Sequence, residues 1–379
     1  MNAETPDSEY HGTMVRTTDT LQEWHRAGEV ETALDPQMPI VDAHHHLFGT
    51  AADRLYYRVE DLQDDISGGH NVIGTIYCEA YYSGWHKDGP DALRPVGEVQ
   101  NIVRAAQEVS LTTAHGPCEL AAAVVAHTDM TLGHYVAEVL EAHVAAGAGR
   151  LRGVRHRTAT DLGRVGSFIE SRPAPHLLIN ERFQQGVRQL ASFGLSFDAW
   201  VYHTQIDELI SLVDSVPDTT VVVDHIGGPI GVAEYRPYQA DVTRTWKRKL
   251  HELAERPNVM MKVGGMGMAV FGFGFEREIQ PAGSAALASA WRPYIDTCIE
   301  AFGTDRCLFE SNFPVDKQST SYTSLWNAFK RCTAELSFSE RCDLFFGTAC
   351  RAYQLPHLAE RARIFAEEKG LAQKPAVHV

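Results

Sequence analysis

Two histidines one residue apart, His44 and His46, lie in the run Asp42-Ala43-His44-His45-His46. Along an extended chain, residues two apart project to the same side. Both imidazoles can therefore grip one cation at ~2.0–2.1 Å, while His45 between them must point the other way. Other chemistry-bearing residues follow further apolar runs: Glu79, His127, Arg155 with His156, Tyr202 with His203, Asp224 with His225, and Glu310-Ser311-Asn312. A lone histidine after a strand is ordinarily a packed or surface residue. Here 18 histidines are spread over 379 residues, yet histidine follows five of the eight apolar runs within a residue or two, which chance rarely produces.

The remaining candidates divide by role. His203 and His225 can approach the His44–His46 pair from the opposite wall. Glu79 offers a carboxylate able to bridge two ions. Its apolar neighbours Ile76, Tyr77 and Ala80 imply burial beside a partner, because an unpaired buried carboxylate is costly. Asp42 or Asp224 could orient the imidazoles as acceptors. Arg155 and Lys262 could hold a substrate carboxylate or form structural ion pairs. Trp200 and Tyr202 either line the pocket or pack their strand.

The elements that must position these residues are readable. Eight short apolar runs recur, at 40–43, 72–77, 120–126, 151–154, 195–201, 220–223, 259–263 and 307–309. Continuous Val/Ile/Leu runs suit strands buried on both faces, as in a parallel sheet. Helical spacing fills the intervals at 135–144 (with Gly147 as a stop), 183–190, 206–212, 246–253 and 285–302. Strands alternating with helices make βαβ units. Eight of them, with no Gly-x-Gly-x-x-Gly after the first run, favour a closed (β/α)₈ barrel of the α/β class over an open dinucleotide-binding sheet. In such a barrel, chemistry gathers at the C-terminal ends of the strands, where the polar residues above fall. The expected organisation is an N-terminal arm (1–36, with a short helix near 21–27), the barrel (37–356) and a C-terminal tail (357–379). Two long intervals, 49–71 and 263–282, mark loops that could build a site, and the Gly/Phe-rich stretch 270–275 is a candidate lid.

Composition narrows the partners. A formal net charge of −15 repels phosphate backbones, so nucleic acid is excluded as an expected partner. The seven cysteines are scattered, with no CxxC pair, which suits reduced cytoplasmic thiols rather than a disulfide framework. The polar N-terminus has no signal-peptide core, and no apolar run is long enough for a membrane span.

Four stretches together carry a resemblance: residues 41–46 (VDAHHH), 153–156 (GVRH), 223–229 (VDHIGGP) and 309–314 (FESNFP). In order and on the expected strands, from about residue 39 to 355, they resemble the amidohydrolase-related (amidohydrolase 2) family. The resemblance implies a distorted (β/α)₈ TIM barrel that hydrolyses or decarboxylates small molecules with one or two divalent metal ions. It implies His44 and His46 as ligands from the first strand, His203 from the fifth and His225 from the sixth. One position departs: the family's strand-8 aspartate, ligand and proton acceptor, is replaced by Asn312. An amide is a poor general base, so Asp316 or Glu310 would have to substitute.

A second resemblance rests on Tyr77-Cys78-Glu79-Ala80, Phe197-Asp198-Ala199-Trp200 and the run from Phe309 to Lys317, with Gly89-Pro90 to Gly97-Glu98 between them. These look like a subgroup similar to two dinuclear-metal oxygenases, the 2-aminoisobutyric acid hydroxylase and the diiron hydroxylase of platensimycin biosynthesis. That resemblance implies an iron or iron–manganese centre bridged by Glu79, with His156 as a further ligand. Three readings follow. The first is hydrolysis of an amide, lactone or ester by a Zn, Fe or Mn site, with Arg155 or Lys262 holding substrate. The second is dinuclear monooxygenation. The third is a non-catalytic partner subunit of an active paralogue, in a homo- or hetero-oligomer.

Overall fold

The structure, a computed structural model, describes residues 10–80, 83–169 and 171–371. The first nine residues of the expected arm, and residues 372–379 of the expected tail, lie outside that range. Nine strands form in chain order: β1 (Pro39–His45), β2 (Asn71–Cys78), β3 (Leu111–Thr113), β4 (Gly116–His127), β5 (Leu151–Arg155), β6 (Ser196–Ala199), β7 (Val221–Val223), β8 (Val259–Val263) and β9 (Cys307–Phe309). Eight run parallel in the order β1-β2-β4-β5-β6-β7-β8-β9, and β3 pairs antiparallel with β4 as a hairpin. The ring closes just beyond the named strands: Asn312 N–H donates to His44 O (2.9 Å) and His46 N–H to Phe313 O (2.8 Å). This is the expected (β/α)₈ barrel, and all eight apolar runs are its strands. Every residue of β1, β2, β6, β7 and β9 is buried, as an all-parallel sheet covered by helices requires. The distortion lies at the first strand pair, where the β1–β2 register shifts twice, once between Asp42 and His45.

The predicted helices form with longer ends: Val136–Gly147, Glu181–Phe193, Ile206–Ser215, Gln239–Ala254 and Ser284–Phe302. Helix Val59–Ile66 occupies the interval 49–71 expected as a loop, and Val96–Glu108 and Tyr322–Cys332 add to the expected helices. In the arm, Thr17 caps the helix Thr18–Arg26 by accepting from Thr20 N–H. Beyond the barrel, Pro356–Glu368 is helical, and Leu358 and Ala362 are buried against it. A Cβ on Gly74 of β2 would lie 2.6 Å from Leu358 Cδ1, so the strand accepts this helix only through a glycine.

Packing at the closure is aromatic. Phe309 of β9 stacks on Phe329 with centroids 4.4 Å apart and planes within 4°. Glu98, on Val96–Glu108, clamps the end of β2: its carboxylate accepts from Tyr77 Oη (2.7 Å), Ala80 N–H (2.6 Å) and Trp85 Nε1 (3.0 Å). Burial and the nearby Glu79 charge raise Glu98 to about 7 despite these donors.

Two outcomes follow. Phe309→Ala removes a fully buried ring and should cost about 3–5 kcal/mol, read from the chemical denaturation midpoint. For Glu98, the native state keeps a proton that the unfolded chain has released, so stability falls as pH rises from about 4.5 to about 7, by up to ~3 kcal/mol. Glu98→Gln should flatten that fall in a pH series of denaturation curves.

Candidate active site and metal centre

The end of β1 presents the histidine pair. His44 Nε2 and His46 Nε2 are 3.1 Å apart. Two nitrogens bound tetrahedrally to one ion at ~2.0–2.1 Å stand about 3.3 Å apart, so the spacing suits a shared cation. His46 Nδ1 is 2.9 Å from Cys78 O and donates to it, leaving Nε2 with its lone pair. For His44, Arg155 Nη1 approaches Nε2 at 3.3 Å. A guanidinium only donates, so Nε2 carries the lone pair and Nδ1 the proton. That proton faces Glu310 Oε2 at 3.1 Å and Asp224 Oδ1 at 3.5 Å. Lys262 Nζ also lies 3.1 Å from Nδ1, with two of its three protons on Asp198 and Asp224 and Cys78 Sγ at 3.7 Å for the third. Burial lowers the pKa of both imidazoles, helped by Lys262 at His44 and by His44, Arg155 and Arg157 at His46. The neutral form that results is the one that binds metal. His45 points away and meets Thr75 Oγ1 at 3.0 Å.

His225 follows β7 on a turn in the left-handed region, with φ 54° at His225 and 53° at Ile226. Such backbone costs energy and gathers at functional sites. Gly265, after β8, makes room for it: a Cβ there would lie 2.4 Å from His225 Nδ1. Glu310 fixes the ring, accepting from Nδ1 at 2.7 Å and from the backbone N–H at 3.2 Å. The Nε2 lone pair is thereby left unpledged to the protein, and the ring packs 4.7 Å from His44 and 4.8 Å from Trp200.

Beneath the histidines lies a buried charge network. Lys262 Nζ contacts Asp198 Oδ2 (2.7 Å) and Asp224 Oδ1 (2.9 Å), and Tyr353 Oη donates to Asp198 Oδ2 (2.6 Å). Arg155 bonds Glu79 Oε1 (2.8 Å), Glu79 O (2.8 Å) and Asp224 Oδ2 (3.2 Å). Arg157 adds a second bond to Glu79 Oε1 (2.8 Å). Burial alone would raise Glu79, but Arg157 and Arg155 override it and bring it down to about 2. Burial likewise disfavours the Lys262 charge, yet Asp198 and Asp224 hold it well above the usual lysine value.

At β9, Asn312 Nδ2 donates to Asp316 Oδ1 (2.8 Å), and Gly267 N–H donates to Asp316 Oδ2 (2.7 Å). Asn312 therefore stands between Asp316 and the mouth, with its own Oδ1 left as an acceptor. Asp42 turns to the closure instead, accepting from Ser311 N–H (2.8 Å), Ser311 Oγ (2.6 Å) and Tyr322 Oη (3.0 Å).

A cavity of about 770 Å³ opens over this assembly, floored by His46, Arg155, His225 and Asn312 and walled by Trp200 and Tyr202. Of the residues singled out in the sequence, the structure brings together His44, His46, His225, Arg155, Asn312, Trp200 and Tyr202. The others are corrections. Glu79 is spanned by two arginines and is placed as their counterion, not as a bridge between ions. His156 turns into a second cavity, where its Nδ1 accepts from Met130 N–H (3.1 Å) and its ring packs on His127 and Phe183. His203 Nδ1 accepts from Ile230 N–H (3.3 Å), and its ring meets Tyr235; no contact joins it to His44 or His46. Lys262 is fully buried in its ion pairs and cannot reach substrate. Asp316 lies behind Asn312. The acceptor that orients His225 is Glu310 rather than Asp42 or Asp224. Arg157 was missed because a second arginine two residues on looks like a surface charge; the buried Glu79 was the signal that two cations were needed. The candidate lid is packed: Gly231 N–H donates to Val270 O (2.8 Å), and only Val270 of 270–275 lines the cavity.

The donor atoms suit a divalent cation. One ligand atom each from His44, Asp224 and His225 lies within 4.8 Å of the others. Asp224 Oδ1 and Glu310 Oε2 are buried with ionic neighbours but no well-directed hydrogen bond, and both face the Nδ1 edge of His44.

Residues 41–355 match the sequence pattern of the amidohydrolase family (Amidohydro_2). The chain is 28% identical over 331 residues to an L-fucono-1,5-lactonase of Burkholderia multivorans, spanning 84% of this chain and 97% of that protein. It is 27% identical over 328 residues to the protein y4mH of Sinorhizobium fredii, spanning 83% and 98%. Among solved structures, an amidohydrolase from Burkholderia multivorans with bound zinc superposes with a TM-score of 0.62 at 24% identity, over 84% of this chain and 99% of that one. The fold, the histidine pair and the matched span agree: this chain belongs to the amidohydrolase family.

Proposed function

We propose that the chain is a metal-dependent hydrolase of a small ester, lactone or amide. The observation that carries this reading is the convergence, on one cavity, of the His44–His46 Nε2 pair with an imidazole, His225, locked to a carboxylate. His44 and His46 would hold the ion, with the His225 ring facing them 4.7 Å from His44. A divalent ion of zinc, iron or manganese supplies Lewis acidity to a carbonyl and lowers the pKa of water.

The chain's own residues do the rest. The Asn312 amide has no basic site to take a proton, and Asp316 is walled off behind it. Glu79 stays ionised between two arginines and shuttles no proton near neutral pH. His225 is left as the acceptor: Glu310 takes its Nδ1–H at 2.7 Å and aims Nε2 at the water's proton. Glu310 stabilises the imidazolium that results, as a carboxylate behind a catalytic histidine does. The proton then passes from His225 to the leaving oxygen or nitrogen. Arg155, fixed by Glu79 and Asp224, would offer its guanidinium at the cavity floor to a carbonyl oxygen that gains charge. The apolar walls exclude bulk water.

The L-fucono-1,5-lactonase relative supports a lactone or related ester as the bond broken. The oxygenase arrangement needs Glu79 between two ions and His156 beside them, and neither residue is so placed. A net charge of −15 suits a small-molecule rather than a nucleic-acid substrate.

His46→Ala should lose the bound metal and, with it, hydrolysis. Metal content by mass spectrometry, on protein from zinc- and iron-supplemented cultures, checks this; a variant that keeps its metal contradicts the ligand assignment. His225→Ala should keep its metal and lose about 10²–10⁴ in kcat on a lactone panel. Near wild-type kcat would remove His225 as the base.

A further inference from the structure

Residues before 41 lie outside the matched family span, and the relatives, matched over 97–98% of their own length, leave about a sixth of this chain without a counterpart. Part of the chain before residue 41 reaches the active site. Tyr10, His11, Gly12, Thr13, Met14 and Arg16 all line the 770 Å³ cavity. Tyr10 is 5% exposed and meets Phe168 edge to face at 5.3 Å, while its carbonyl accepts from Arg164 Nε at 3.3 Å. The segment is anchored on loops that follow three different strands. Thr18 Oγ1 donates to Tyr56 O (2.9 Å) in the loop after β1. Arg16 Nη1 donates to Glu276 O (2.6 Å), and Trp24 Nε1 to Glu278 O (3.0 Å), after β8. Gln318, after β9, pairs with the Arg16 backbone in both directions, at 2.9 and 3.1 Å. A segment held at so many points by buried or half-buried groups is a wall rather than a mobile flap.

The side chains it brings to the cavity are mixed: Tyr10 and Met14 are apolar, and His11, Thr13 and Arg16 are polar. Tyr10 and Met14 stand with Phe48, Phe168, Met268 and Val270 above the polar floor. Tyrosine and methionine supply broad, adaptable contact area, and a concave apolar site with a few convergent polar groups is the usual form of a small-molecule pocket. We propose that the segment Tyr10–Arg16 is a specificity wall, selecting substrates that carry an aromatic or similarly flat apolar body next to the hydrolysed carbonyl. The wall thus sets this chain apart from relatives without the segment.

The inference rests on the hydrolytic reading only for which end of the substrate meets the floor, so it is tested by binding alone. Hydrolysis of an ester, lactone or amide releases a carboxylate, and 3-phenylpropionate against propionate is a matched product-like pair. Calorimetric titration of the full chain should show 3-phenylpropionate binding at least about tenfold more tightly. Tyr10→Ala combined with Met14→Ala should bring the ratio to within about twofold, with the thermal midpoint confirming a folded barrel. Phe168→Ala, which removes the seat of Tyr10 from the other side, should do the same. A wild type without the preference, or a double variant that keeps it, overturns the wall. A preference that holds while no ester, lactone or amide is turned over leaves the wall standing and overturns the reaction.

Discussion

The centre of the molecule depends on Lys262 remaining charged with no access to water. Its ammonium ties Asp198 at the end of β6 to Asp224 after β7, and Asp224 in turn binds Arg155 of β5, which binds Glu79 after β2. Strands from around the ring are thus joined through their side chains as well as their backbones. Removing one member would leave an uncompensated buried charge, an effect of about 3–5 kcal/mol. The arrangement also explains why the histidines are neutral. Their burial coincides with nearby fixed cations, and both forces favour the unprotonated imidazole.

Much of this was legible in the sequence, for definite physical reasons. Parallel strands buried on both faces leave continuous apolar runs, and the polar residue that ends each run marks the mouth. The period of two in His44-x-His46 carried over directly into two converging nitrogens. His203 and His156 obey the same rule of position but not its consequence. A residue just past a strand can turn inward or outward, and only the next turn's backbone decides. Three residues after β6 the chain enters a helical turn at His203, and His203 Nδ1 is taken by Ile230 N–H. At His156 the Met130 N–H does the same. Glu79 was rightly read as buried with a partner, but a carboxylate's partner can be a metal or an arginine, and its neighbours in sequence do not distinguish them. The hairpin strand β3 and the helix Val59–Ile66 were hidden because short elements carry too few periods to register.

The replacement of an aspartate by Asn312 looks like a loss when seen alone. In the structure it is part of a pair: the amide donates to Asp316, and burial together with Glu310 and Asp42 pushes that carboxyl up against its two donors. The acid function has withdrawn by one layer, while the histidine–carboxylate pair of His225 and Glu310 remains at the front. The barrel frame tolerates such exchange because the strand ends share one mouth, so a proton acceptor can arrive from β7 as readily as from β9.

Arg157 and Ser171 belong to the linings of both large cavities, the one above the histidines and the one of about 560 Å³ around His127 and His156. The partition between the chambers is therefore only about one layer of side chains thick, and its main member is pinned by Glu79 rather than by the backbone of a strand. Shortening that arginine would both unbalance Glu79 and merge the chambers. A single substitution at Arg157 thus acts on the volume open to substrate without touching the barrel or the histidines.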